Sequence, residues 1–300
     1  MKLSILTATY NRADLLKRLY ESIVNNLIEK IDIEWLIMDD GSTDNTKDIV
    51  SKMMSVKNLD VKYYKQENQG KMQAINNLME HVTGDLVMDC DSDDYFIDNA
   101  FELIYDKSEI LLKDDDLYAL IFLKSEGNGK ISGNKFKIEN QNTTMFDMYF
   151  KKDICGEKII VFKSEIRKKY KHELEKNEKF ITEARMYHKM DLDYRVKCFN
   201  IPIVEGVYLD NGYTSNINNT FIKSPNGYYK YFQEILERDM KGVNFSKRMY
   251  VIKHYILFTY MINKKLNVKN VHDKINKILI YILFIPGIIK IKLGGIYGKQ

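Results

Sequence analysis

Cysteine is scarce in this chain and falls into no pattern. Cys90, Cys155 and Cys198 are its three cysteines and form no CxxC pair, which excludes a disulfide framework and predicts free core thiols in a reducing compartment. The histidines, His81, His172, His188, His254 and His272, are too dispersed for a zinc cluster. Internal repeats are absent. A spanning helix needs about twenty apolar residues, and the uncharged run Ile278 to Ile289 has twelve, interrupted by Pro286-Gly287. The opening residues pass straight into a strand pattern, without the basic region, apolar run and cleavage site of a secretory signal. A cytosolic protein is therefore expected.

Acid is missing from one region. Residues 241 to 300 hold twelve Lys or Arg and the single acid Asp273, a net +11, so residues 1 to 240 carry −7 within a chain of net +4. A basic tail on an acidic body predicts an anionic partner for the tail alone. Two readings of the tail stay open: an interfacial helix on an anionic membrane leaflet, or a helix packed on the protein's own core or on a second subunit of a homo-oligomer. Nucleic acid is not an expected partner.

What is present in excess is acid at two particular places. Asp89, Asp91, Asp93 and Asp94 put four carboxylates into six residues directly after the apolar run Leu86-Val87-Met88. Carboxylates this crowded repel one another and resist burial, so they belong at a strand's carboxyl end, where a divalent cation neutralises them. Trp35-Leu36-Ile37-Met38 likewise ends in Asp39-Asp40, followed by the turn residues Gly41-Ser42-Thr43-Asp44. In open α/β sheets the crevice beyond the carboxyl ends of the strands is where ligands bind.

Periodicity places strands at Leu3–Thr9, Ile33–Met38, Val61–Lys65 and Asp85–Asp89, alternating with helices that open at Asn11-Arg12-Ala13-Asp14, span Thr43–Met54 and span Gly70–Val82. This alternation predicts an α/β fold with a doubly wound, mainly parallel sheet. Farther on, Gly127-Asn128-Gly129 between Tyr118–Lys124 and Lys130–Ile138 signals a hairpin. Strands are expected at Ile159–Lys163 and Ile201–Tyr208, separated by a charged helical stretch from Ser164 to about Lys197, and the chain turns helical from Ser246.

Four segments in this order resemble the family 2 glycosyltransferases, inverting enzymes of the GT-A fold that use nucleotide-diphosphate sugars. They are Leu3 through Thr9-Tyr10-Asn11-Arg12, Met38-Asp39-Asp40-Gly41-Ser42-Thr43-Asp44-Asn45-Thr46, Asn68-Gln69-Gly70-Lys71 through Ala74 and Asn76, and Gly84-Asp85 through Asp91-Ser92-Asp93-Asp94. The match covers roughly the first hundred residues, with Ala8 where the family usually has proline. The resemblance implies that Thr9, Tyr10 and Arg12 belong to the nucleotide site, that Asp40 accepts a hydrogen bond from uracil, and that Lys71 lies near the donor. It also implies that Asp91 faces ribose or metal and that Asp93 coordinates a divalent ion, Mn2+ or Mg2+, on the diphosphate. More loosely, Glu178 through Glu183-Ala184 resembles the acceptor-side region that carries the catalytic base, nominating Glu183, and Tyr208 through Thr214 resembles a loop near the acceptor. The bland reading of Glu183 is a first-turn helix glutamate.

The partition that follows is a nucleotide-sugar-binding half (1–105), an acceptor-binding half of the same GT-A domain (106–235), and a basic helical extension (236–300). The expected activity is transfer from a nucleotide-sugar donor, UDP foremost, to a glycan or lipid-linked acceptor in surface polysaccharide synthesis, peripherally at the inner face of the cell membrane. Two other readings stand beside it: an inactive membrane-attached sugar-nucleotide binder, and a haloacid-dehalogenase-type phosphohydrolase built on Asp89-Cys90-Asp91. Asp114-Asp115-Asp116 reads as a solvated loop, Asp39 as a turn cap, and Tyr228-Tyr229-Lys230-Tyr231-Phe232 as core packing.

Overall fold

Residues that alternate strand and helix patterns over the first ninety positions build one side of a single mixed sheet. The computed structural model describes residues 1–53, 56–137, 139–206 and 217–292, with side chains of the last span over 219–285. Its strands are β1 (Lys2–Thr9), β2 (Asp32–Asp39), β3 (Leu59–Lys65), β4 (Leu86–Asp89), β5 (Asp94–Phe96), β6 (Leu117–Ser125), β7 (Asn142–Thr143), β8 (Lys158–Lys163) and β9 (Arg195–Gly206). Among the described residues they run in the order β3-β2-β1-β4-β8-β6-β9-β5, with β7 on β9. The first four are parallel: β1 pairs with β2 and β4, and β2 with β3. Strand β8 runs antiparallel between β4 and β6.

The helices are α1 (Ala13–Asn25), α2 (Thr46–Ser51), α3 (Lys71–Met79), α4 (Ala100–Lys113), α5 (Ser164–Arg167), α6 (Ala184–Met190), α7 (Ile217–Lys223), α8 (Pro225–Leu236), α9 (Phe245–Met261) and α10 (Lys274–Lys292), with a π-helical turn at Asp147–Lys151. Alternate strand residues feed two apolar layers. Leu3, Ile5, Trp35 and Ile37 pack with Leu16, Leu19, Phe101 and Ile104 of α1 and α4, whereas Leu6, Leu36 and Val87 pack with Ile75 and Leu78 of α3. The period-2 alternation of a strand divides its side chains between the two faces in this way.

The chain forms two compact units, one of Met1–His172 with Met186–Leu209 and one of Glu173–Arg185 with Asp210–Gln300. In the second, Tyr228 and Tyr229 are 5 % exposed and Phe232 is 2 % exposed, with Tyr228 and Phe232 stacked on Phe258, so the aromatic stretch is core. Glu178 ties the 173–185 segment to α8 by accepting from the backbone N–H groups of Asn226 and Gly227 at 2.8 Å, a carboxylate on a helix amino end. Arg185 grips Glu234 at 2.7 Å.

Three expectations are corrected. Gly127-Asn128-Gly129 does turn, with Glu126 N donating to Lys130 O at 2.8 Å, but beyond it only the isolated bridge Ser125–Ile131 forms. A second hairpin strand fails because Gly133 takes a positive φ of 68° and has no room for a Cβ against Cys155. The charged stretch 164–197 is not one helix: α5 and α6 are separated by extended and turn segments, and Asn177 at φ 67° breaks the helical path. Helix α2 is half its expected length. The triple aspartate is a loop, with Asp115 fully exposed.

At the amino end of the sheet, Glu34 is buried at 0 % exposure. It accepts from Ser4 Oγ at 2.5 Å, Thr83 N and Oγ1 at 2.6 Å each, and Gly84 N at 3.1 Å, with Lys2 at 2.9 Å. Burial alone would raise its pKa, yet the hydrogen bonds from Ser4, Thr83 and Lys2 outweigh it and hold the carboxyl down at about 2 against an ordinary 4.5. A depressed acid stabilises the fold above its unfolded value, and that contribution, about 3 kcal/mol, is lost as pH falls from 4.5 towards 2. Acid titration followed by circular dichroism should show this loss, and Glu34→Gln should lower stability at neutral pH while flattening the slope over that interval.

Candidate functional site

The carboxyl ends of β2, β1 and β4 lie side by side, with Thr9 level with Asp39 and Leu6 level with Asp89. The chain leaves β1 towards β2 on one side and places β4 on the other, so the gap between β1 and β4 is the topological switch point. Both acid motifs end here.

After β1, Asn11 takes a left-handed φ of 52° and stitches two loops together. Its N–H donates to Ser42 Oγ at 2.9 Å, while its Oδ1 accepts from Thr43 N at 2.8 Å. Asp44 then accepts from Ala13 N at 3.2 Å, holding the start of α1. Asp39 accepts from Ser42 N at 2.6 Å and Tyr63 OH at 2.5 Å, which makes it the turn cap expected.

Asp40 is 4 % exposed. Its Oδ1 accepts from Gln66 Nε2 and Gln69 N, and its Oδ2 from Gly70 N, each at 2.8 Å. These bonds fold the 66–70 loop onto β2 and set the start of α3, where Gly70 at φ 93° makes the turn. Lys71 opens α3 and reaches Asp91 Oδ1 at 2.7 Å. Burial would lift the Asp91 carboxyl, but Lys71, then Lys124 and Arg12, hold it below the usual aspartate range.

Arg12 Nη1 donates to Asp93 Oδ2 at 3.0 Å, bridging the loops after β1 and β4. Asp94 is drawn inward to Lys124 at 2.9 Å. Burial and the neighbouring Asp91 and Asp93 charges lift it to about 7 against the pull of Lys124. Lys124 also pairs with Glu157 at 2.7 Å, and these two acids push its pKa up despite its burial. Tyr10 stands 48 % exposed at the rim, while Thr9 Oγ1 and Ser92 Oγ are buried without a hydrogen-bond partner.

Of the site residues expected from sequence, Thr9, Tyr10, Arg12, Asp40, Lys71, Asp91 and Asp93 therefore all lie in the first unit, at the last residue of β1, on the loops after β1, β2 and β4 and at the start of α3. Glu183 belongs to the second unit. It is a half-buried turn residue immediately before α6 rather than in the helix. The loop Tyr208 through Thr214 lies outside the described residues. Sequence reasoning missed Lys124, Gln66 and Gln69. A lysine closing the apolar run Tyr118–Leu123 was the one available signal for Lys124.

No group of three His, Cys, Asp or Glu side chains among the described residues is placed to hold a metal. Asp91 and Asp93 nevertheless suit a hard divalent cation. Lys71 and Arg12 each engage one oxygen, leaving Asp91 Oδ2 and Asp93 Oδ1 to it. Mg2+ is commonly held this way, by one or two carboxylates together with substrate phosphates and water.

The model of the glycosyl transferase family 2 matches residues 4–169. The chain belongs to this family. Residues 4–169 include every donor-side residue above, and the phosphohydrolase reading of Asp89-Cys90-Asp91 has no support. Among curated relatives, the GalNAc(5)-diNAcBac-PP-undecaprenol beta-1,3-glucosyltransferase of Campylobacter jejuni is 28% identical over 185 residues, 59% of this chain and 57% of that protein. An uncharacterized glycosyltransferase of Mycoplasma genitalium is 37% identical over 99 residues, 32% of this chain and 33% of that one. The chain thus spans from a third to somewhat over half of the length of these relatives. Residues 1–349 of Staphylococcus aureus TarS, solved with UDP-GlcNAc, superpose with a TM-score of 0.59 at 19% identity, covering 87% of this chain and 72% of that one. A Pyrobaculum calidifontis mannosyltransferase, solved with GDP-Man and Mn2+, gives 0.56 at 14% identity, covering 99% and 88%. The fold is that of the GT-A glycosyltransferases, with the mainly parallel α/β sheet that the strand-helix pattern predicted and the GT-A architecture that the resemblance implied.

Asp40→Asn tests the loop anchor. It turns a donor NH2 towards backbone N–H groups that need an acceptor, so thermal unfolding should show a loss of about 1–3 kcal/mol, and nucleotide affinity should fall with it as α3 loosens.

Proposed function

We propose that this protein is a metal-dependent inverting glycosyltransferase that moves a sugar from a nucleotide-diphosphate donor, UDP foremost, to a glycan or lipid-linked acceptor in surface polysaccharide synthesis. The observation that carries this reading is the convergence of Arg12, Lys71, Asp91 and Asp93 at the switch point of a family 2 domain. The relatives agree with it. TarS is by name a poly(ribitol-phosphate) beta-N-acetylglucosaminyltransferase and has been solved with UDP-GlcNAc, and the Campylobacter relative bears the name of an undecaprenol-linked acceptor.

In this reading residues 1–105 bind the donor, 106–235 take the acceptor, and 236–300 form a membrane-facing extension. Thr9 and Tyr10 line the nucleotide pocket. Asp40 Oδ2 carries a single bond and so keeps capacity for one more donor, the uracil N–H. Asp91 and Asp93 hold Mn2+ or Mg2+, which supplies neutralisation of the charge that develops on the leaving diphosphate. Lys71 and Arg12 favour the ionised form of Asp91 and add positive charge beside the phosphates. Glu183 takes the proton of the acceptor hydroxyl as general base.

Calorimetric titration of UDP with and without Mn2+ tests the donor site. Wild type should bind in a metal-dependent manner and Asp93→Ala should lose that dependence; absence of UDP binding under either condition refutes the UDP assignment. For the base, Glu183→Gln should lower the transfer rate by about 10²-fold or more while UDP affinity stays unchanged, and a near wild-type rate removes Glu183 from the mechanism. An inactive sugar-nucleotide binder would bind UDP and show no turnover with any donor.

A further inference from the structure

Helix α10 (Lys274–Lys292) has one side that the described residues bury and an opposite, apolar side that they leave exposed. Asn276 and Ile280 are fully buried on the side that packs against α9. The other side shows Ile275 at 63 %, Ile278 at 59 %, Tyr281 at 61 %, Ile282 at 62 % and Ile285 at 68 % exposure. Ile275, Ile278, Ile282 and Ile285 follow each other at spacings of three, four and three residues, which aligns them along one face. Single exposed apolar residues are ordinary, but a continuous stripe of large ones marks a contact surface.

Charge selects the occupant. The helix sits in the segment of net +11, and the single acid there is already engaged. Asp273 pairs with Arg248 at 2.8 Å and caps α10 by accepting from Ile275 N at 2.7 Å. Lys274 is exposed and Lys277 half-buried in the first turn of α10. A second copy of this chain would bring the same excess of positive charge against it. No helix among the described residues is long and apolar enough to cross a membrane, so the stripe suits a helix lying in the interface rather than one spanning it.

We infer that the outer stripe of α10 is a docking surface for an anionic lipid bilayer, with Ile275, Ile278, Tyr281, Ile282 and Ile285 entering the headgroup boundary and Lys274 and Lys277 engaging lipid phosphates. The inference deepens the proposed function by naming how the enzyme meets a lipid-linked acceptor, but it stands on unit-two residues that take no part in donor binding.

Co-sedimentation of the full chain with phosphatidylcholine vesicles, alone or mixed with phosphatidylglycerol, tests it. The protein should sediment with the mixed vesicles and far less with phosphatidylcholine alone. Ile278→Ser/Ile282→Ser should weaken binding about tenfold or more, and Lys274→Gln/Lys277→Gln by about fivefold for each lysine. Both variants should keep the wild-type circular dichroism and UDP affinity, because Ile278, Ile282 and Lys274 are exposed and Lys277→Gln keeps an N–H donor for Lys269 O. Lack of wild-type binding to mixed vesicles, or unchanged binding by the isoleucine variant, overturns the docking surface. So does a wild-type dimer in sedimentation velocity that the isoleucine variant dissociates, which would make the stripe an interface between copies. Vesicle binding without UDP binding would instead remove the donor reading and leave the surface in place.

Discussion

Three aspartates within four residues, each answered by a cation from a different element, are the constraint around which the donor side of this protein is arranged. Asp91 meets Lys71 at 2.7 Å, Asp93 meets Arg12 at 3.0 Å, and Asp94 meets Lys124 at 2.9 Å. Carboxylates this close repel one another, and each cation offsets part of that repulsion at its own aspartate. The cations arrive from the loop after β1, the start of α3 and the end of β6. The acid motif therefore requires that β1, β4 and β6 stand where they do, and that the Asp40 anchor keep Gly70 and Lys71 in place. A local cluster of charge thus depends on the topology of the whole sheet.

The strand-helix alternation to Asp89 was legible because each element there carries its own signal. Parallel strands buried on both faces are continuous apolar runs, and Asn11, Asp39, Asp44 and Gly70 punctuate them with turn chemistry. The segment from Ser164 to Lys197 was misread for the opposite reason. Its lysines and glutamates have helical propensity, but tertiary partners decide the outcome: Glu178 is taken by the amino end of α8 and Arg185 by Glu234, neither of which is near in sequence. The hairpin after Gly129 failed in the same way, since the steric demand of Gly133 against Cys155 lies twenty-odd residues away in the chain. Arg12, Lys71, Asp91 and Asp93 were individually readable, whereas their pairing as two ion bridges was not, because no local pattern encodes which cation crosses from β1 to the β4 turn.

The sheet also shows how one residue type serves two ends. Glu34, at the amino edge, has its oxygens occupied by Ser4, Thr83 and Gly84, with two lysines nearby. Asp39 is likewise engaged on both oxygens, by the backbone N–H of Ser42 and by Tyr63 OH from the neighbouring strand. Carboxylates saturated in this manner stabilise the fold and have little left to offer a ligand. Asp91 and Asp93 differ: each holds one mobile side-chain cation on one oxygen and keeps the other available. Lysine and arginine side chains can shift to accommodate a phosphate or a metal at modest cost, whereas a backbone N–H cannot. This contrast in the kind of partner, rather than the count of acids, is what supports Asp91 and Asp93 over Asp39 or Glu34 as the proposed cation ligands at the switch point of the sheet.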